Sequence, residues 1–200
     1  RDTDRSRGLG DVYKRQFRGR GDEIRVYPIS FKEYYSFAGG DKSDAYEEYA
    51  LYGGMPLVLN KKSEAEKMSY LQTLFTEVYF KDIMERYDIG LPDVLAELTD
   101  ALCSSVGSLT NVNKIKNTLQ TVKNIQVSNT TLSNYLEYLS ESFLFSNAKR
   151  YDVKGKKYFE YPSKYYCTDI GLRNARLNFR QQEDCLLYTS DAADDLIGVD

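Results

Sequence analysis

The order of the periodic segments over residues 91–177 constrains the fold of this chain more than any other feature. A helix is predicted from Pro92, and two more segments with helical apolar spacing follow, the second of them capped by Ser128. Two runs of β-type sequence then flank Val153-Lys154-Gly155, which is a hairpin signal. A third run, at 164–169, is compatible with another strand ahead of a short last helix.

Apolar spacing predicts which faces of the three helices are buried. Each helix carries one apolar stripe, as expected of a helix that packs on a core with one side. The predicted inward residues are Val94, Leu95, Leu98 and Leu102 in the first helix, Val112, Ile115, Leu119 and Val122 in the second, and Leu132, Tyr135, Leu136 and Leu139 in the third. A helix, a turn, a second helix and a hairpin in this order are typical of a winged-helix domain, which we predict for 91–184 with the hairpin as its wing.

Residues 17–90 are predicted to be helical apart from one strand. Polar and apolar residues alternate over 23–29, as they do in a strand. Ser30 is predicted to cap a short helix, and Ser63 with Glu66 forms the capping box of a long one. The apolar stripe predicted for the long helix is Leu71, Leu74, Phe75, Val78 and Ile83. The predicted fold class is therefore mainly α with a small β component.

The string nearest to a phosphate-binding loop is Gly39-Gly40-Asp41-Lys42-Ser43. Such a loop needs the spacing GxxxxGK[ST], so that backbone N–H groups and the lysine surround the phosphate. Here Asp41 separates glycine from lysine, and its carboxylate would repel phosphate. We therefore predict a turn at the end of a helix.

Histidine is absent from the chain, which excludes Ser-His-Asp triads, His-ligated zinc and histidine general bases. The three cysteines, Cys103, Cys167 and Cys185, lie far apart and form no CxxC pair, so a reduced chain is expected. The formal charge of −3 gives no net attraction to nucleic acid. No apolar run approaches the length of a membrane span, and no signal-peptide pattern is present. These features predict a cytoplasmic protein without a membrane partner.

DNA binding is one function that the predicted winged-helix domain could perform. In a helix-turn-helix the second helix enters the major groove, and cations on a wing can neutralise phosphates. The candidate DNA contacts are Asn129, Thr130, Thr131 and Asn134 on the helix and Lys149, Arg150, Lys154, Lys156 and Lys157 on the hairpin. Glu137 and Glu141 on the same helix would repel phosphates, so a protein-interaction or lid module without enzymatic activity is the alternative. Lysines at a solvated hairpin tip also discourage edge pairing, a role that needs no DNA.

The two ends of the chain are predicted to be translated adapter DNA. Residues 11–16 read DVYKRQ, and residues 185–190 read CLLYTS. One DNA segment, translated in opposite orientations, can encode both strings, and it resembles the transposon end used in sequencing-library preparation. We therefore predict that 1–16 and 185–200 are not native sequence and that 17–184 is an internal piece of a longer protein.

Four strings follow one another in order along 17–184. They are FRGRGDEIRVYPISFKEYYSF (17–37), YGGMP (52–56), EVYFKDIMERYDI (77–89) and the run that begins SSVGSLTNVNKIKNTL and ends TDIGLRNA. Together these strings resemble a prokaryotic group of AAA-type ATP-binding proteins, and the last resembles the C-terminal domain of unknown function of that group.

The resemblance implies a non-catalytic middle fragment. A P-loop ATPase core with Walker A and Walker B, which would bind ATP and Mg²⁺, would lie before residue 17, and a nuclease-like domain would follow residue 184. Residues 17–90 would be a helical bundle at the end of that core. The piece itself would hold no cofactor or metal and would not hydrolyse ATP. Arg20, with Arg18 nearby, would sense the nucleotide or act as an arginine finger; a surface arginine at a strand start is the alternative.

Overall fold

The computed structural model describes residues 25–148 and 162–178, so both predicted adapter segments lie outside the described residues. The first half consists of helices that pack on one another. They are α1 (Phe31–Ala38), α2 (Lys42–Tyr52), a 3-10 helix (Pro56–Asn60), α3 (Glu64–Thr73), a π-helical segment (Leu74–Phe80) and α4 (Lys81–Arg86). The last three are continuous, so one long helix runs from Glu64 to Arg86.

Side-chain caps determine where these helices begin. Ser30 accepts a hydrogen bond from the Glu33 amide, and the Glu33 carboxylate accepts one from the Ser30 amide at 2.8 Å. Ser63 and Glu66 form the same reciprocal box at the start of α3. Each box satisfies amides that the first turn of a helix leaves unpaired. Both predicted helix starts are confirmed.

The glycine pair after α1 forms the predicted turn. Gly39 and Gly40 adopt positive φ angles of 65° and 78°, a region that residues with a side chain rarely enter. Asp41 then caps α2 by accepting hydrogen bonds from the amides of Ser43 and Asp44 at 2.8 and 3.2 Å. The string therefore ends one helix and begins the next.

The long helix departs from its predicted apolar stripe in the π-helical segment. Leu71, Phe75 and Ile83 are buried as predicted, but Val78 is 54% exposed. A π-helical turn holds more residues than an α-helical turn, so it rotates later side chains away from the face that α spacing predicts. The stripe prediction is wrong at Val78 for this reason.

The second half combines four helices with a small sheet. Its elements are α5 (Pro92–Ser104), β1 (Leu109–Thr110), α6 (Val112–Lys123), α7 (Asn129–Glu141), β2 (Phe145–Ala148), β3 (Ser163–Cys167) and α8 (Ile170–Arg176). The strands are antiparallel in the order β1-β3-β2, with Thr110 opposite Ser163 and Phe145 opposite Cys167. The prediction of a mainly helical chain with a small β component is confirmed.

One strand prediction is wrong, and the predicted hairpin is described only in part. Residues 25–29 form no strand, and the Ile29 amide donates instead to the Gly54 carbonyl at 2.9 Å. Pro28 has no amide to donate, which weakens any ladder through this segment. Over the described residues β2 pairs with β3, the run that the sequence offers only as an additional strand. The predicted hairpin turn and the run 156–161 lie outside the described residues.

The predicted stripes account for most of the core of the second half. All four inward residues of α5 and all four of α7 are buried. In α6 Leu119 is buried, whereas Val122, at the edge of the stripe in the last turn, is 70% exposed. The buried apolar residues of both halves form one continuous core.

Helix α8 joins the two halves. It packs against α2 and α3 from the first half and against α5 and β3 from the second. The Asn174 side chain donates to the carbonyls of Ala50 and Leu51 at 3.0 and 2.9 Å. Arg176 forms a two-armed ion pair with Asp100 of α5, at 2.5 and 3.0 Å. These polar contacts fix α8 between the two sets of helices.

Candidate nucleic-acid interface

Helices α6 and α7 are joined by a short turn, and local sequence sets its ends. Asn111 caps α6 with its side-chain oxygen. Asn124 ends α6 in the left-handed conformation with φ 54°, which asparagine tolerates better than most residues. Ser128 then caps α7 by accepting a hydrogen bond from the Thr131 amide at 3.0 Å. The sequence therefore fixes both helix ends that face each other across the turn.

An open cleft of about 430 Å³ lies where this turn meets α6. Its walls are Lys116, Gln120, Gln126, Val127 and Ser128. Lys116 is half-buried, Gln120 and Gln126 are exposed, and Val127 forms a buried floor. One lysine, two glutamines and a serine therefore line an open space that an anionic group such as a phosphate could enter.

The exposed face of α7 bears short polar side chains. Its exposed residues are Asn129, Thr130, Ser133 and Asn134, followed by Glu137 and Glu141. The Asn129 side chain donates to that of Asn113 on α6 at 2.7 Å, which links the two helices. Thr131 is half-buried, and its hydroxyl lies 2.8 Å from that of Ser128, so it supports the helix cap. Three of the four predicted contacts on this helix thus share the exposed face, and Thr131 does not.

The C-terminal half of α7 is occupied by the segment that follows α4. The rings of Tyr87 and Tyr138 stack with their centroids 3.9 Å apart, and the Leu91 amide donates to the Tyr135 hydroxyl at 3.1 Å. The Tyr87 hydroxyl donates to the Glu141 carboxylate at 2.7 Å. Burial and this carboxylate raise the pKa of Tyr87 to about 12. Glu141 is therefore engaged within the fold.

The stretch 101–136, which includes all of α6, contains three lysines and no carboxylate side chain. Lys123 pairs with Glu97 of α5 at 2.9 Å. Lys114 and Lys116 lie in the first half of α6, close to the residue that holds Asn129. The first half of α6 is thus locally positive, although Glu137 and Glu141 lie on α7 and the whole chain has a formal charge of −3.

The other predicted contacts lie outside the described residues. They are Arg18, Arg20, Lys149, Arg150, Lys154, Lys156 and Lys157. The last five belong to the segment that connects β2 to β3. Their roles remain predictions.

Sequence analysis missed the residues of the cleft. Lys116, Gln120 and Gln126 lie on α6 and the turn, whereas the predicted contacts were confined to the second helix and the hairpin. The signal that could have found them is the stretch 101–136, in which every charged side chain is a lysine. Averaging charge over the whole chain hides this signal.

A second polar site, between α2 and α8, is also absent from the sequence predictions. Asp169 is buried and accepts hydrogen bonds from the amides of Gly54 at 2.7 Å and Leu172 at 2.9 Å. Burial raises the pKa of its carboxyl, and hydrogen bonds from backbone amides oppose that rise. A Cβ on Gly53 would overlap the Asp169 carboxylate, and one on Gly171 would overlap the Tyr52 carbonyl. Backbone fills this site, so its role is structural.

Among the described residues, no group of three Cys, Asp or Glu side chains could hold a metal ion. Within the same ranges, none of the helices has the length and hydropathy of a membrane span. Burial raises the pKa of Cys103, and it raises that of Cys167 to about 12. Both thiols are therefore protonated at neutral pH, which makes them poor nucleophiles.

A family model described as Domain of unknown function (DUF8612) matches residues 43–183. An uncharacterized protein of Haemophilus influenzae is 38% identical over 160 residues, which cover 78% of this chain and 40% of the relative. An uncharacterized protein of Methanocaldococcus jannaschii is 26% identical over 182 residues, which cover 85% of this chain and 40% of the relative. The chain thus spans about two fifths of the length of these curated relatives. No solved structure matches it.

These matches correct the predicted membership in the AAA-type ATP-binding proteins. The matching family model has no assigned function, and neither relative is described as an ATPase. Packing explains two of the strings that suggested the resemblance, because YGGMP (52–56) and TDIGLRNA (168–175) meet at the joint between α2 and α8. The prediction of a P-loop ATPase fragment is wrong, while the matches do not test the expected ATP, Mg²⁺ and nuclease-like domain, which stay predictions.

Proposed function

This chain belongs to the DUF8612 family of domains of unknown function, and we propose that its second half binds duplex DNA as a winged-helix unit. The element order α5, β1, α6, α7, β2, β3 and the strand order β1-β3-β2 support this proposal. In such a unit α7 enters the major groove, and the segment between β2 and β3 is the wing.

The observation that carries the proposal is the charge pattern of α6 and the first two turns of α7. Lys116 lines the cleft beside the N-terminus of α7, and no carboxylate occurs in the stretch 101–136. Phosphate binding depends on nearby cations and amide or hydroxyl donors, and nearby carboxylates oppose it. This face supplies the donors that a duplex backbone requires.

The two glutamates of α7 keep their negative charges but lie away from the N-terminal end of the helix. Glu141 lies in the last turn, where it accepts the hydrogen bond of Tyr87. Glu137 lies one turn before Glu141, beyond the first two turns of the helix. The N-terminal residues of a recognition helix make the base contacts, so Asn129, Thr130 and Asn134 would meet the groove first.

The test is the salt dependence of binding by the full chain to a labelled duplex, measured by fluorescence anisotropy. We expect affinity to fall linearly with the logarithm of salt concentration, because bound cations release counterions from DNA. Lys116→Glu should weaken binding to all sequences and lower the magnitude of the salt slope by about one. Lys32→Glu makes the same charge change on the exposed surface of α1 and should leave the slope unchanged. Absence of binding at roughly 50 mM salt would refute the proposal.

The wing is tested separately by reversing the charges of Lys154, Lys156 and Lys157 together. If these lysines neutralise phosphates, the slope should fall by up to about three. An unchanged slope would leave DNA binding to α6 and the first two turns of α7 alone and remove the wing from the proposal.

A protein-interaction module is a second candidate, and exposed aromatic residues in the first half favour it. Phe37 on α1 is 70% exposed and Tyr46 on α2 is 45% exposed. Tyr46 contacts Phe31 edge-on with ring centroids 5.3 Å apart. The part of the Haemophilus relative that the match does not cover is a natural partner to test. Titration calorimetry between the two separately expressed parts of that relative would detect the contact, and no heat of binding would argue against it.

A further inference from the structure

We infer that α7 reads A·T base pairs in preference to G·C pairs. This inference rests on the proposed function and adds the class of sequence that the same face would recognise. It follows from which side chains this face carries and which it lacks.

The major-groove edges of the bases require different side chains. Adenine presents one acceptor and one donor, which an asparagine amide can satisfy with two hydrogen bonds. Thymine presents a methyl group, which the methyl group of threonine can contact. Guanine presents two acceptors and is read most often by arginine or lysine. The first two turns of α7 expose two asparagines, one threonine and one serine. Glu137 and Glu141 are exposed further along, and α7 contains no arginine or lysine.

The spacing of these residues suits consecutive base pairs. Thr130, Ser133 and Asn134 are separated by three and four positions, so they lie on one side of the helix. Thr130 and Asn134 are about 6 Å apart along the helix axis at about 1.5 Å per residue. Consecutive base pairs are about 3.4 Å apart, so this face covers about two of them.

Asn134 is the side chain best placed to read a base. It is exposed, and its side-chain amide makes no hydrogen bond to any part of the chain that the structure describes. Asn129 already donates to Asn113, so it has fewer free hydrogen-bonding groups. Asn134 can therefore offer both its donor and its acceptor to adenine.

Glu137, one turn further along, does not restore guanine recognition. Its ionised carboxylate only accepts hydrogen bonds, so it cannot bind the two acceptors of guanine. It can accept from the amino group of adenine or of cytosine, so Glu137 by itself favours neither A·T nor G·C pairs. None of the exposed side chains of α7 thus carries the charged donors, arginine or lysine, that most often bind guanine.

The test is a competition experiment with the full chain. A labelled mixed-sequence duplex is displaced by unlabelled A·T-rich or G·C-rich duplexes of equal length at one salt concentration. We expect the A·T-rich duplex to compete about tenfold more effectively, which is the lower range for one well-formed pair of base contacts. Asn134→Ala should remove this ratio and leave the affinity for the G·C-rich duplex unchanged. Asn117→Ala makes the same change on the exposed surface of α6 and should keep the ratio.

A gain-of-function variant keeps the test informative. Asn134→Arg introduces the side chain that pairs with guanine and should shift the preference toward the G·C-rich duplex. Equal competition by both duplexes against the unmodified chain would overturn the inference and leave the proposed function intact. A preference that survives Asn134→Ala would also overturn it, because the selectivity would then come from another part of the chain. If no duplex binds, the proposed function fails and the inference fails with it.

Discussion

Replacing Asp169 by alanine tests how the two halves of the fold are held together. The change removes the acceptor for the amides of Gly54 at 2.7 Å and Leu172 at 2.9 Å. Each buried donor left without a partner costs about 1–3 kcal/mol, so the two together cost about 2–6 kcal/mol. A water that enters the vacated space would recover part of this loss. We expect the free energy of unfolding to fall by about 3 kcal/mol.

The assay is urea and thermal unfolding of the full chain, followed by far-ultraviolet circular dichroism. A loss of about 3 kcal/mol corresponds to a fall in Tm of about 6–12 °C for a chain of this size. Asp41→Ala is the matched control, because Asp41 also caps a helix through two amides but is exposed. The exposed cap should cost about 1 kcal/mol. If both variants lose the same stability, burial of the Asp169 contact is not what makes it important, and the reasoning fails.

Three further predictions concern Asp169, Gly171 and Tyr87. The pKa of Asp169 is raised above its ordinary value of 3.8, so protonation of its carboxyl adds stability that is present below that pH and is lost as pH rises through the folded pKa. Asp169→Asn should remove this pH dependence from the urea midpoint measured between about pH 3 and 7. Gly171→Ala should lower the free energy of unfolding in urea by about 2 kcal/mol or more, because its Cβ would overlap the Tyr52 carbonyl. An unchanged urea midpoint would mean that this contact is loose. Tyr87→Phe should cost about 1 kcal/mol, because it removes the bond to Glu141 but keeps the ring stack, and Tyr87→Ala should cost more in the same assay.

Helix starts and buried faces could be predicted because they depend on neighbours a few positions apart. Ser30, Ser63 and Ser128 each accept a hydrogen bond from the amide three residues later. The buried stripe of α7 likewise follows from helical spacing alone. Where the spacing itself changes, in the π-helical segment, the same argument fails at Val78.

Long-range contacts could not be predicted in this way. Asp169 bonds to Gly54, 115 residues earlier, and no local pattern marks either residue as a partner of the other. In the candidate site, too, local features could be predicted and long-range features could not. Spacing places Asn129 and Asn134 on one face of α7, but the cleft at Lys116 also requires the angle between α6 and α7. That angle is set by packing of the whole core.

The bond between Asp169 and Gly54 imposes an order of events on synthesis. The ribosome completes α1, α2 and α3 long before α8, so the turn after α2 has no acceptor for its amide until residue 169 leaves the exit tunnel. Until then, the surfaces of α2 and α3 that α8 covers face water, which is the kind of surface that chaperones bind. A nascent chain truncated before α8 would therefore lack the contact that joins its halves, and it would present these uncovered helix surfaces to chaperones.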